Sequence, residues 1–245
     1  MTGLDITLDS IKDISLFQAR KGYRFSVDAL LLEDFITVKN RSRVIELGTG
    51  SGIISLLLAQ RLKNIKIVAV EIQRSLKRCA EKNVKLNKLE DKIEIFHEDI
   101  KNLRKVFPPH TFDGVFSNPP FRKVRSGKLS IDRERAVARH EIQVALPDII
   151  KTASYLLKDL GRFFLIYHPF RLRELITMLH TARLEPKRMR FVYARSGEEA
   201  KMVLVEAVKE SGTWLTVEPP LYIHEQGNVY SEEMKRILES KVRKI

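Results

Sequence analysis

The sequence predicts an α/β fold, with a mostly parallel sheet covered by helices on both faces. Three observations predict it. Short apolar runs alternate with amphipathic stretches of about 10–15 residues, the pattern of strand–helix–strand units. The first run ends in a glycine-rich turn that opens a helix. The last two runs have no long helix between them, which suits an antiparallel hairpin at one edge. A chain of 245 residues is within reach of one large α/β domain. It would bury roughly 70–75% of its unfolded surface, so it needs no disulfide or metal staple to fold.

Seven strands are expected. Arg43–Leu47 is a short apolar run before the glycine turn, and Gly52–Leu62 reads as the helix after it. Lys66–Val70 is a second strand, apolar and β-branched. Gln73–Leu86 spaces Leu76, Ala80, Val84 and Leu86 as a helix does. Ile93–Phe96 and Phe112–Phe116 are the third and fourth strands. Ile142–Leu157 is a helix, Arg162–Tyr167 the fifth strand and Arg171–Ala182 another helix. Arg188–Tyr193 and Met202–Glu206 form the closing pair. Two segments stand outside the pattern. Residues 1–42, with Gly22-Tyr-Arg-Phe-Ser-Val-Asp28, are an N-terminal extension to a domain spanning 43–245. Residues 122–140 carry Arg122, Lys123, Arg125, Lys128, Arg133, Arg135 and Arg139 against Asp132 and Glu134, and a loop that long inside a domain is usually functional.

Composition narrows the function. The chain has 44 Lys and Arg against 31 Asp and Glu, a net charge of +13. That excess points to a polyanionic partner, nucleic acid first and an anionic membrane surface second. Surface ion-pair networks explain many charges but not the imbalance. The longest stretch without a charge, Leu47–Gln60, is too short to span a bilayer. The start, Met1-Thr-Gly-Leu-Asp-Ile, lacks the pattern of a secretory leader. The single Cys79 excludes an internal disulfide and a Cys-based zinc site. A cytoplasmic protein is expected. His97, His110, His140, His168, His180 and His224 show no ligand spacing, so no metal is expected. No Pro-Cys pair exists for covalent pyrimidine chemistry.

The turn reads Glu46-Leu-Gly48-Thr-Gly50-Ser-Gly52. Glycines there let the backbone turn sharply and approach a ligand at a helix N-terminus. Glu71 closes the next strand, where a carboxylate can accept from both hydroxyls of a ribose. A dinucleotide would favour G-x-G-x-x-G, whereas this chain has G-x-G-x-G with an acid two residues ahead. That acid would repel a pyrophosphate and suits a cofactor with a cationic amino acid end, such as S-adenosylmethionine. A nicotinamide cofactor and a ligand-free turn are the alternatives. Asp99, after the third strand, can hold an adenine amino group or cap the helix at Lys101–Val106.

Asn118-Pro119-Pro120-Phe121 follows the fourth strand directly, at the carboxyl edge where open sheets bind ligands. An exocyclic amine conjugated to a ring is a poor nucleophile. The Asn118 side-chain oxygen can accept one of its N–H groups and the Pro119 carbonyl the other, which localises the lone pair. Two prolines stiffen the backbone that aims that carbonyl. Phe121 can stack a planar base flipped out of its strand. A plain Asn-Pro turn is the rival reading. The preceding glycine turn, Glu71 and Asp99, in that order, favour the functional one.

With these motifs the chain resembles the class I S-adenosylmethionine-dependent methyltransferases that carry Asn-Pro-Pro-Phe or Asn-Pro-Pro-Tyr. More narrowly it is similar to the bacterial tRNA1(Val) (adenine-N6)-methyltransferase family. The resemblance runs through Phe25-Ser-Val-Asp-Ala-Leu-Leu-Leu32, Glu46–Gln60, Val70-Glu-Ile-Gln73, Asn83–Leu89, Asn118–Phe121, Ala138-Arg-His-Glu141 and Pro219-Pro-Leu221. It implies a Rossmann-like sheet and methyl transfer to the N6 amine of an adenine beside the anticodon of tRNA. It implies that Glu46, Gly48, Thr49, Gly50, Gly52, Glu71 and Ile72 hold the amino acid and ribose ends of the cofactor. Asp99 and Ile100 would hold its adenine, and Asn118–Phe121 the target base. Phe25 and Asp28 would close over the site, with residues 1–42 packed nearby. Arg122, Lys123, Arg125, Lys128, Arg139 and His140 would face the RNA, the basic ones gripping phosphates beside the flipped base. The same tetrapeptide also serves transfer to guanine N2 of ribosomal RNA and to protein glutamine. The basic charge and the short segment before the glycine turn favour RNA over the glutamine substrate.

Overall fold

The structure is a computed structural model that describes residues 6–19, 27–119, 146–225 and 227–239. The described chain opens with an antiparallel hairpin, β1 (Ile6–Ile11) and β2 (Ile14–Ala19), followed by α1 (Val27–Phe35). The main sheet begins with β3 (Arg43–Leu47), α2 (Ile53–Arg61), β4 (Lys66–Val70), α3 (Arg74–Leu86) and β5 (Ile93–Phe96). A short 3-10 turn (Ile100–Asn102) leads through α4 (Leu103–Val106) to β6 (Phe112–Ser117). Then come α5 (Leu146–Leu156), β7 (Leu157–Tyr167), α6 (Leu172–Thr181), β8 (Leu184–Tyr193) and β9 (Ala200–Lys209). Two short strands, β10 (Thr216–Val217) and β11 (Leu221–Tyr222), precede α7 (Glu232–Glu239).

The strand order is β10-β8-β9-β7-β6-β3-β4-β5, with β11 also beside β8. β3 is central: the chain steps outward through β4 to β5, then returns to β6 on the other side of β3. That reversal makes a topological switch point between β3 and β6. The parallel strands β3 and β4 are buried on both faces beyond their first residue, as expected for strands covered by helices. Alternation along each strand feeds two separate cores. Val44, Ile67 and Ala69 face α1 and α2 in one core, and Ile45, Val68 and Val70 face α5 in the other.

All seven expected strands are present, and the closing pair β8 and β9 is antiparallel. β9 is also antiparallel to β7, so β8 runs in the common direction. β10 and β11 extend the sheet beyond β8; each is two residues long and carries no periodic signal. β7 starts at Leu157, ahead of the expected Arg162, with a register shift opposite Phe112 and Gly114. Gly161 is required there, because a Cβ would lie 2.7 Å from the Lys158 carbonyl. Residues before Arg43 join the main core through Ile14, Leu16, Ala29–Leu32, Phe35 and Ile36. The buried Glu33 of α1 is neutralised by Lys12 (2.9 Å) and Arg61 (2.6 Å). The Arg61 guanidinium also caps the carbonyls of Glu33 and Ile36, anchoring the end of α1 on α2.

Candidate functional site

Because β3, β4, β5 and β6 are mutually parallel, the segments after them emerge at one edge of the sheet. Glu46 and the glycine turn, Glu71, Asp99 and Asn118 therefore share that edge. The turn needs its glycines: Gly48, Gly50 and Gly52 have φ of 81°, 60° and 89°, a region other residues enter only with strain. The N–H groups of Gly48 and Thr49 donate to the Val70 carbonyl (3.1 and 2.9 Å), which ties the turn to the end of β4. Gly52 caps α2.

Glu46 is 1% exposed. Its Oε2 accepts from the Thr49 hydroxyl (2.6 Å) and from the Ser55 hydroxyl of α2. Burial pushes its carboxyl up to about 7, against the lowering pull of the Ser55 and Thr49 hydroxyls. Glu71 is also buried. Its Oε2 accepts from Gly50 N–H (2.8 Å) and its Oε1 from Gln73 N–H (2.8 Å). Burial raises this carboxyl too, opposed by those N–H groups. Each oxygen has a second acceptor position, so Glu71 can receive hydroxyls as well as hold the turn. Two buried carboxylates suit a cation and a diol, and repel a phosphate. The Ser51 hydroxyl, buried within the turn, has no hydrogen-bond partner among the described residues.

Asp99 caps the 3-10 turn by accepting from Lys101 N–H (2.9 Å), and its own N–H is held by Glu98 (2.8 Å). Ile100 is buried behind it and Ile72 half-buried. The His97 ring meets the Ile72 carbonyl (3.0 Å), joining the ends of β4 and β5. At β6, the Ser117 hydroxyl donates to the Leu47 carbonyl (2.7 Å) and locks the Asn118 segment beside the glycine turn. Asn118 is half-buried and Pro119 buried. Asp28 lies in the first turn of α1. Phe25, Pro120, Phe121, Arg122, Lys123, Arg125, Lys128, Arg139 and His140 lie outside the described residues.

Two supports went unseen in the sequence. Ser55 is a lone hydroxyl in the buried apolar run of α2, and a polar group there must find a partner. That was its signal. Asn83 on α3 and Asn87 at its C-cap sit one turn apart and face the free edge of β2. Asn83 holds Phe17 N–H (2.7 Å) and carbonyl (3.0 Å), and Asn87 holds Ser15 N–H (3.0 Å) and carbonyl (2.7 Å). Asn83 also donates to the Ser51 carbonyl (2.9 Å), so one side chain links the N-terminal hairpin to the glycine turn. The signal was a pair of poor helix formers at i and i+4. Among the described residues no His, Cys, Asp and Glu group could hold a metal ion. No described helix is long and apolar enough to cross a membrane.

Comparison with known proteins adds to this geometry. The methyltransferase small domain family matches residues 26–181. A tRNA1(Val) (adenine(37)-N6)-methyltransferase of Porphyromonas gingivalis strain W83 is 32% identical over 239 residues, 94% of this chain and 92% of that protein. A protein of the same name from Tolumonas auensis is 26% identical, covering 91% and 92%. Among solved structures, a predicted O-methyltransferase from Agrobacterium tumefaciens superposes with a TM-score of 0.70 at 23% identity, over 89% of this chain and all of that one. Sheet order, the paired acids at the switch point and these similarities converge. The chain belongs to the methyltransferase small domain family, within the group of tRNA1(Val) (adenine(37)-N6)-methyltransferases.

Proposed function

We infer that the protein is an S-adenosylmethionine-dependent methyltransferase that methylates the exocyclic N6 amine of an adenine in tRNA, beside the anticodon. The observation that carries this reading is the juxtaposition at the switch point. The acid-lined glycine turn of β3 stands next to Asn118-Pro119 at the end of β6, joined by the Ser117–Leu47 hydrogen bond. The chain's own residues fit the cofactor: two buried carboxylates, a turn of left-handed glycines and a Ser51 hydroxyl without a partner among the described residues. Glu46, Gly48, Thr49, Gly50 and Gly52 take the amino acid end, Glu71 and Ile72 the ribose, and Asp99 and Ile100 the adenine. When bound there, S-adenosylmethionine would supply a sulfonium methyl group, with S-adenosylhomocysteine as the product.

The protein's part is to make a poor nucleophile attack. The Asn118 side-chain oxygen accepts one N–H of the adenine amine and the Pro119 carbonyl the other. Both hydrogen bonds strengthen as the nitrogen becomes tetrahedral, so they act on the transition state more than on the ground state. The burial of Pro119 and its fixed φ hold the carbonyl in place. After attack the amine is acidic and loses its proton to water, so no general base is needed. Phe121 stacks the base, and Phe25 and Asp28 of the 1–42 extension close over the site. Arg122, Lys123, Arg125, Lys128, Arg139 and His140 grip the RNA. The reaction belongs to the cytoplasm, where tRNA is found.

The test is transfer of labelled methyl from S-adenosylmethionine to total RNA of a bacterium lacking the enzyme, with nucleoside mass spectrometry. N6-methyladenosine in the tRNA fraction is expected. Methylguanosine, or label in protein alone, would overturn the assigned acceptor. Asn118→Ala should lower kcat by 100-fold or more, the scale of one lost transition-state acceptor, with cofactor affinity retained. Loss of cofactor binding in the folded variant would overturn its role.

A further inference from the structure

Phe170 is 76% exposed, the most exposed large apolar side chain among the described residues. It lies in a 3-10 turn, Pro169–Arg171, directly after β7. β7 is the parallel neighbour of β6, and Ser117 pairs with Leu165. The segment after Ser117 is Asn118-Pro119. The segment after Leu165 runs through Tyr167 to His168-Pro169-Phe170. The two strands thus deliver the base-accepting asparagine and this aromatic turn to the same edge, side by side. The opposite flank of β6 is β3, with the cofactor turn. Phe170 therefore sits on the outward flank of the target-base position.

The ring is also held in place. It stacks on the His168 imidazole, with centroids 5.2 Å apart and 28° between planes. The His168 Nδ1–H donates to the Lys201 carbonyl at the start of β9 (3.0 Å), which fixes the imidazole. Pro169 stiffens the link between the rings. Arg173 is exposed on the next turn, and the Lys201 ammonium is paired with Glu198 (3.3 Å). A held, exposed aromatic face at the sheet edge that carries the base-accepting asparagine is how single-stranded nucleotides are gripped. The other exposed rings among the described residues are accounted for elsewhere: Trp214 packs under the Lys187 ammonium (4.5 Å), at the far side of the sheet beyond β8, and Tyr230 stacks on His224 (5.1 Å).

We propose that Phe170, seated on His168, is a stacking platform for an unpaired nucleobase of the RNA that flanks the methylated adenine. This rests on the RNA substrate inferred above and adds a residue and a subsite to it. The ring binds the strand that remains in the loop while the adenine is drawn toward Asn118. Stacking accepts any base, so Phe170 contributes affinity and positioning, and sequence choice is left to other contacts.

The test measures tRNA binding by fluorescence anisotropy and methyl transfer by steady-state kinetics, for wild type, Phe170→Ala, Phe170→Leu and Phe170→Tyr. Phe170→Ala should raise Kd and KM for tRNA by roughly tenfold, the scale of one lost base–aromatic stack. Cofactor affinity should be unchanged. Phe170→Tyr should restore binding and Phe170→Leu should not, since a flat π face is required. The slope of log Kd against log salt should stay that of wild type, because no phosphate contact is lost. Wild-type binding by Phe170→Ala or by Phe170→Leu, with methyl transfer to tRNA intact, would overturn the platform and leave the enzyme's function standing. A wild-type protein that neither binds nor methylates tRNA would overturn both.

Discussion

Glu46→Gln offers a quantitative test of how the cofactor turn is built. Burial lifts the Glu46 carboxyl from its ordinary 4.5 to about 7. That rise corresponds to about 3 kcal/mol against the charged form in the folded protein. The sign follows from proton linkage. The folded state binds this proton more tightly than the unfolded chain, so the stability it contributes is complete below about pH 4.5. It is lost as pH rises to about 7 and is flat above. Glutamine keeps the shape, still accepts from the Thr49 and Ser55 hydroxyls, and does not titrate. The difference in stability, variant minus wild type, should therefore grow in the variant's favour between pH 4.5 and 7. At about 2–4 °C per kcal/mol for a chain of this size, a change of about 3 kcal/mol is roughly 6–12 °C in relative Tm. Thermal unfolding of both proteins without cofactor, from pH 4.5 to 8.5, measures it. A difference that does not vary with pH, or that shrinks as pH rises, would refute the reasoning. The cofactor adds a second readout. With Glu46 holding a cationic amino group, affinity for S-adenosylmethionine should fall toward tenfold per pH unit below 7 in wild type. In Glu46→Gln it should be weak and nearly independent of pH there.

Two further outcomes are expected. Asn83→Ala strips the acceptor from Phe17 N–H and the donor from the Ser51 carbonyl, while the Phe17 carbonyl keeps the Cys79 thiol (3.1 Å), and two unsatisfied groups of this kind make a loss of about 2 kcal/mol the expected result. Denaturant unfolding checks it, and an unchanged midpoint would show that the hairpin does not depend on this clamp. Glu71→Gln turns an amide N–H toward a turn N–H and removes a charged acceptor, so cofactor affinity should drop roughly 10- to 100-fold by calorimetry. Cofactor binding as tight as wild type would remove Glu71 from the cofactor site.

Much of the fold was legible because parallel strands buried on both faces are written as largely apolar runs: β4 is uninterrupted after Lys66, and β3 and β6 are broken inside by Glu46 and Asp113. The candidate site was legible for a related reason. Parallel strands emerge at a common edge, so motifs that follow Leu47, Val70 and Ser117 in sequence meet in space. The N-terminal hairpin was not legible. β1 and β2 have a half-exposed pattern, and they are held by Asn83 and Asn87, some seventy residues later in the chain.

The sequence by itself determined the sheet's direction, the glycine turn, and the acids and Asn-Pro pair around it, because each depends on local backbone preference or on alternation along one strand. Tertiary structure alone decided the environment of Glu46, whose burial raises its carboxyl and whose partner Ser55 comes from α2. It also decided that Phe170 and Asn118 share an edge. They lie 52 residues apart, and only the pairing of β6 with β7 brings them together. Charge state and adjacency depend on what surrounds a residue in space, which no local pattern records.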